Sequence, residues 1–182
     1  MRTTLACFCM LLSGVAGARN YSLAIGGGWS VPLSPRGPNS FESEHEQSFP
    51  SPDLRLMAHR NAWGLGIEAA GSRYWRHDSA GSVEHVSGAL ALEWDALNPE
   101  EEEGGDHLYG VLELGWGQTV VNAPQIARTW NGPDVLLALG YEFPLGSTFS
   151  ILGEVGCRRL VGPSGYDPLA IGIGSLKVRS SF

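Results

Sequence analysis

In at least six stretches of this chain, alternate residues divide into two chemically different sets. One set is bulky, apolar and aromatic; the other is Gly, Ala, Ser and single Glu residues. From Trp63 to Trp75 the odd positions are Trp63, Leu65, Ile67, Ala69, Gly71, Arg73 and Trp75, and the even positions are Gly64, Gly66, Glu68, Ala70, Ser72 and Tyr74. A period of two marks a strand, because successive Cβ atoms leave a strand on opposite sides. The pairing of faces is inverted relative to a water-soluble barrel. Small residues and a carboxylate behind an apolar face bracketed by Trp describe a wall with lipid outside and a tight polar lumen inside.

The rest of the composition narrows the class. A chain of 182 residues, 43% of them hydrophobic, can build one compact domain, yet no uninterrupted apolar stretch reaches the about 20 residues of a transmembrane helix. The one long apolar run, Leu5 to Val15, follows Met1-Arg2 and precedes Ala16-Gly17-Ala18, an A-x-A cleavage signal. Residues 1–18 are therefore expected to be a signal peptide and 19–182 the barrel domain. Cys7 and Cys9 would leave with the leader, and Cys157, on strand periodicity, reads as an apolar wall residue rather than a reactive thiol. A net charge of -7 without any basic run argues against nucleic acid as a partner. The acidic segments Glu42 to Glu46 and Glu100 to Asp106 are flanked by Pro or Gly and read as solvated loops. The second lacks the spaced carboxylates of a calcium loop, so neither a metal nor a cofactor is expected.

Alternation predicts eight strands: Tyr21 to Val31, Asp53 to Arg60, Trp63 to Trp75, Val83 to Trp94, Leu108 to Gly117, Val135 to Phe143, Phe149 to Arg158, and a last one running to Phe182. In that last strand Leu176, Val178 and Phe182 share one parity while Leu169, Ile171 and Ile173 share the other, which predicts a bulge near Gly174-Ser175. The connections 32–52, 76–82, 121–133 and 159–168 would lie at one end; 60–62, 95–107 and 144–147 at the other. Asn61 supplies a tight turn. An even strand number with longer loops at one end is the pattern of an all-β, antiparallel, up-and-down transmembrane barrel.

Aromatic residues favour the two lipid-water boundaries and should fall near strand ends on the outer face. Trp29, Trp75 and Trp116 do so at the loop end; Tyr21, Trp63, Trp94, Tyr141, Phe143, Phe149 and Phe182 do so at the turn end. The alternating strands, this girdle and a final strand ending in Leu176, Val178 and Phe182 make the chain resemble the small eight-stranded outer-membrane barrel proteins of the OmpA, OmpX and opacity-antigen type. The resemblance implies a Gram-negative-type outer membrane, contact with its lipids, and an assembly signal in Leu176, Val178 and Phe182 for the barrel insertion machinery. Ser180 departs from that signal, where another apolar residue is typical.

The inner face carries one Glu on each of five strands: Glu68, Glu93, Glu113, Glu142 and Glu154. Buried carboxylates require cationic partners, and Arg55, Arg158, Lys177 and Arg179 share the inner parity, with His59 and His85 as adjustable members. Such a set fills an eight-stranded barrel, which has room for side chains and little more. The alternative is a small gated pore whose ion pairs rearrange. A lipid A-modifying enzyme is a weaker reading. His59-Arg60-Asn61 resembles a deacylase His-x-Ser-Asn segment, but Asn61 stands where the nucleophilic Ser belongs, and His85 with Ser87 points into the lumen. No enzyme activity is expected. The segments 32–52 and 121–133, bearing Phe41, Phe49 and Trp130, could hold an extracellular ligand.

Overall fold

The computed structural model describes residues 20–32, 46–49, 51–76, 82–95, 107–123, 126–160 and 170–182. The expected signal peptide, the acidic segment 96–106 and most of the 33–52 connection lie outside the described residues, as does the side chain of Trp75.

Nine strand segments form one antiparallel sheet: β1 (Asn20–Pro32), β2 (Glu46–Phe49), β3 (Ser51–Arg60), β4 (Trp63–Arg76), β5 (Ser82–Asp95), β6 (His107–Ala123), β7 (Ile126–Pro144), β8 (Phe149–Leu160) and β9 (Ala170–Ser181). The sheet closes on itself through β1 with β9 and β4 with β5. β2 and β3 are two pieces of one barrel strand, since both pair with β4, and the wall is therefore eight strands round. The register slips by one residue between the pairs Phe49↔Arg73 and Asp53↔Ala70, beside Pro52, whose ring nitrogen has no hydrogen to donate to a ladder. Closure leaves no barrel strand with an unpaired edge within the membrane, the condition for a sheet to cross lipid.

The two faces separate as the alternation demands. Ile25, Leu56, Ile67, Leu90, Leu114, Leu137, Leu139, Val155, Leu176 and Val178 are exposed on the outside. The inside holds a small apolar cluster of Ala24, Tyr109, Val111, Leu136, Ala138 and Leu152, surrounded by buried charges. Leu137 is 58% exposed, an arrangement that water would disfavour and lipid accepts. Leu137→Arg, in the middle of this band, is expected to destabilise the barrel in lipid vesicles by about 2–4 kcal/mol. Asn131→Arg, on the same strand beyond the band, should change it by less than about 0.5 kcal/mol. Equal urea midpoints for the two variants would overturn the assignment of this face to lipid.

Two expectations are corrected. The bulge near Gly174-Ser175 is not there: β9 keeps one register with both neighbours, Val178 opposite Ile25 and Ile151, Ile173 opposite Ser30 and Gly156. The change of parity has another cause, since Ile173 turns inward onto the apolar cluster and leaves Gly172 and Gly174 on the outer side. Residues 121–123 and 126–133 are strand rather than loop. β6 and β7 stay paired from Trp116↔Pro133 through Thr119↔Trp130 to Ala123↔Ile126, and β5 follows β6 as far as Ser82↔Asn122. Main-chain ladders continue past the apolar band because they need only a partner strand, not a buried face.

Candidate functional site: the charged interior

Each inward charge is placed by its strand's parity, and its reach is set by the glycines beside it. A Cβ at Gly140 would fall 2.2 Å from Tyr109 Cζ, and one at Gly117 would fall 2.3 Å from His85 Cε1. Long side chains fit in this lumen because small ones stand beside them on the neighbouring strands.

Arg55 of β3 is the hub and is wholly buried. Its Nε donates to Glu68 Oε2 at 2.5 Å, Nη1 to Glu154 Oε1 at 2.5 Å, and Nη2 to Glu113 Oε1 at 3.1 Å and Glu154 Oε2 at 3.2 Å. Glu93 Oε2 lies 3.7 Å from Nη1. One guanidinium thus ties β3 to β4, β5, β6 and β8, using the planar fork that suits carboxylates. Above it, toward the loop end, Arg158 Nη2 donates to Glu113 Oε2 at 2.7 Å, and Lys177 Nζ sits 2.7 Å from Asp53 Oδ2 and 2.9 Å from Glu154 Oε2. Below it, Arg179 bonds Glu93 Oε2 at 2.5 Å and Glu142 Oε2 at 2.6 Å, and its guanidinium lies 5.5 Å from the Tyr109 ring centroid. Ser150 also donates to Glu142, and Tyr109 donates to Glu154 Oε1 at 2.9 Å.

The five glutamates and four fixed cations singled out by parity therefore meet in one network. His59 shares a hydrogen bond of 2.8 Å with Ser22. His85 Nε2 lies 3.1 Å from Asp134 Oδ2 and Nδ1 lies 3.1 Å from Thr119 Oγ1. This hydroxyl, imidazole and carboxylate stand in a row, as a nucleophile and its base would. Thr119, His85 and Asp134 are only 5%, 0% and 3% exposed, so a substrate has no approach to the hydroxyl, and the row serves to join β5, β6 and β7.

Three participants escaped sequence reasoning. Asp53 stands at a strand start, Asp134 directly follows the segment 121–133 where the alternation lapses, and Tyr109 carries no charge to mark it. Membership by parity would have found Asp53, two residues before Arg55, and Asp134, two before Leu136. With them, the buried set among the described residues is seven carboxylates against Arg55, Arg158, Lys177 and Arg179.

On the outer surface, Trp29, Trp63, Trp116, Tyr141, Phe143, Phe149 and Phe182 are exposed; Tyr21 stacks on Phe182 with ring centroids 6.5 Å apart. Trp94 is half-buried because its ring lies over Gly110, whose Cβ would meet Trp94 Cζ2 at 2.1 Å. Cys157 is exposed on this same surface.

No protein-family model matches the sequence, and no curated protein sequence does. Solved structures match across most of the chain. Ail, the attachment invasion locus protein of Yersinia pestis, is 16% identical with a TM-score of 0.57, covering 90% of this chain and 98% of its own. Neisserial surface protein A is 10% identical with a TM-score of 0.61, covering 90% and 96%. The outer-membrane protein OprG of Pseudomonas aeruginosa is 12% identical with a TM-score of 0.60, covering 91% and 96%. Likeness at these identities is likeness of fold. A closed eight-strand ring, greasy without and charged within, matched over about nine-tenths of its length by such structures, gives this chain the fold of the small eight-stranded outer-membrane β-barrels.

Proposed function

We propose that the protein is an integral outer-membrane barrel that acts as a rigid scaffold with a structural or surface-interaction role, and that its lumen is closed by the glutamate, arginine and lysine network. The observation that carries this reading is the wholly buried Arg55, with ion pairs to four carboxylates in the middle of the lumen. A narrow barrel filled this way has no continuous water path. In this reading the chain is exported by the leader 1–18. Tyr21, Trp29, Trp63, Trp75, Trp94, Trp116, Tyr141, Phe143 and Phe149 sit at the lipid boundaries. Leu176, Val178 and Phe182 present the last strand to the insertion machinery.

Surface interaction is assigned to the loop end, where the β6–β7 ribbon, with Trp130 and Asn131, rises beyond the apolar band, and where the segment 32–52 connects β1 to β3. Ail has been solved with the heparin analogue sucrose octasulfate. A net charge of -7 favours a less anionic ligand for this chain.

The test combines two measurements on refolded protein. Unboiled and boiled samples should migrate differently on a detergent gel, and planar bilayers holding the folded form should show no stepwise current. A single migrating band would remove the barrel; discrete currents with intact folding would replace the closed scaffold by the small pore.

A further inference from the structure

The lumen is not electrically closed by its own fixed charges, since its buried carboxylates outnumber its arginines and lysine by three among the described residues. In a low-dielectric interior such a surplus must be met by protons or by bound cations. A cavity among the described residues offers a seat. Enclosed by β1, β3, β4, β7, β8 and β9, in the loop-end half of the lumen, it has room for a water-sized guest, about 20 Å³. Asp53, Ser30, Ser72 and Ser175 are on its wall. Asp53 is 9% exposed; its Oδ2 is held by Lys177 Nζ at 2.7 Å, while its Oδ1 is buried without a hydrogen-bond partner among the described residues. A carboxylate oxygen left bare in that setting is costly unless something positive or hydrogen-bonding sits against it.

We infer that this cavity is a binding site for a small monovalent cation of sodium size, seated against Asp53 Oδ1 with serine hydroxyl oxygens completing its shell. The donor set is all hard oxygen, as such an ion prefers. The ion is monovalent because the seat offers one bare carboxylate oxygen and neutral hydroxyls: Glu68 and Glu154 also line the cavity, but Arg55 and Lys177 already hold them, and Lys177 stands on the other side of Asp53. Arg158 also borders the cavity, but its charge is engaged by Glu113 at 2.7 Å and by Asp134 at 3.5 Å.

The experiment measures the thermal midpoint of the gel-resolved folded form, purified in zwitterionic detergent at pH 7, in sodium, lithium, potassium or choline chloride at equal ionic strength. Choline is too large for the cavity and supplies the same screening. Sodium should raise the midpoint by several degrees over choline, saturating with concentration, because it binds the folded chain alone. Asp53→Asn should abolish the difference. If that variant does not fold, Ser72→Ala should move the half-saturating sodium concentration upward by severalfold. Directly, the folded protein should broaden the sodium-23 resonance, and excess lithium should reverse the broadening. Equal midpoints in sodium and choline would leave only water in the cavity and overturn the site. So would a sodium effect that survives unchanged in Asp53→Asn, or in Ser72→Ala where Asp53→Asn does not fold, or a midpoint in choline that rises on acidification with no cation dependence, which would place a proton on Asp53.

Discussion

Arg55→Met is expected to lower the stability of the folded barrel by about 3–5 kcal/mol, because it removes one partner of several buried ion pairs and leaves the others unpaired. The substitution keeps most of the volume, so the loss is electrostatic rather than a cavity. Glu154 would lose both guanidinium contacts, at 2.5 and 3.2 Å, and Glu68 its partner at 2.5 Å. Arg55→Lys should recover only part, since an ammonium carries the charge but cannot span Glu68, Glu113 and Glu154 together. Pairing Arg55→Met with Glu154→Gln should cost less than the two single changes added, the sign of coupled sites. Urea unfolding in lipid vesicles, followed by tryptophan fluorescence, reads all four values. A loss under about 1 kcal/mol for Arg55→Met, the size of an exposed ion pair, would mean that water reaches the hub and that the lumen is open.

Gly26→Val is the second large effect, and its origin is steric. Gly26 of β1 stands opposite Lys177 of β9 and Asp53 of β3. A Cβ there would fall 2.1 Å from the Leu176 carbonyl oxygen and 2.6 Å from Lys177 Cα, both main-chain atoms that no rotamer change can move aside. β1 would have to part from β9, and the wall would open where it closes. We expect loss of the heat-modifiable form on refolding, a penalty above about 3 kcal/mol, at the top of the range seen for overpacking. Gly153→Val, on the outer face with nothing within 4 Å of its Cβ, is the control and should refold normally. Equal refolding yields for the two would refute the close approach.

Which residues face in and which face out was legible from sequence because a period of two has only two phases, and lipid outside with charge inside gives those phases opposite chemistry. Leu65 could not exchange places with Glu68 without moving a whole strand. The ends of the strands were less legible, for the reason that makes the middle clear: beyond the lipid band both faces meet water, so the contrast disappears while the ladder goes on. The alternation lapses over 121–133 on that account, and with it goes the signal for Asp134, the partner of His85. Ile173 misled for a different reason. A narrow lumen tolerates a few apolar residues among its charges, and an isoleucine there carries the same symbol as one facing lipid. The identity of each ion pair needed coordinates, since Arg55 and Glu154 are far apart in sequence and not on adjacent strands.

The first and last described strands are neighbours, joined from Ser22↔Ser181 to Pro32↔Ile171, with Phe182 and Tyr21 exchanging main-chain hydrogen bonds of 2.9 Å. A ribosome delivers residue 20 long before residue 181, so the leading margin must wait, sticky and unsatisfied, until the trailing margin arrives. Maturation of this cylinder is therefore an all-at-the-end event. Any agent able to occupy the waiting margin as an added strand would arrest it as an open sheet.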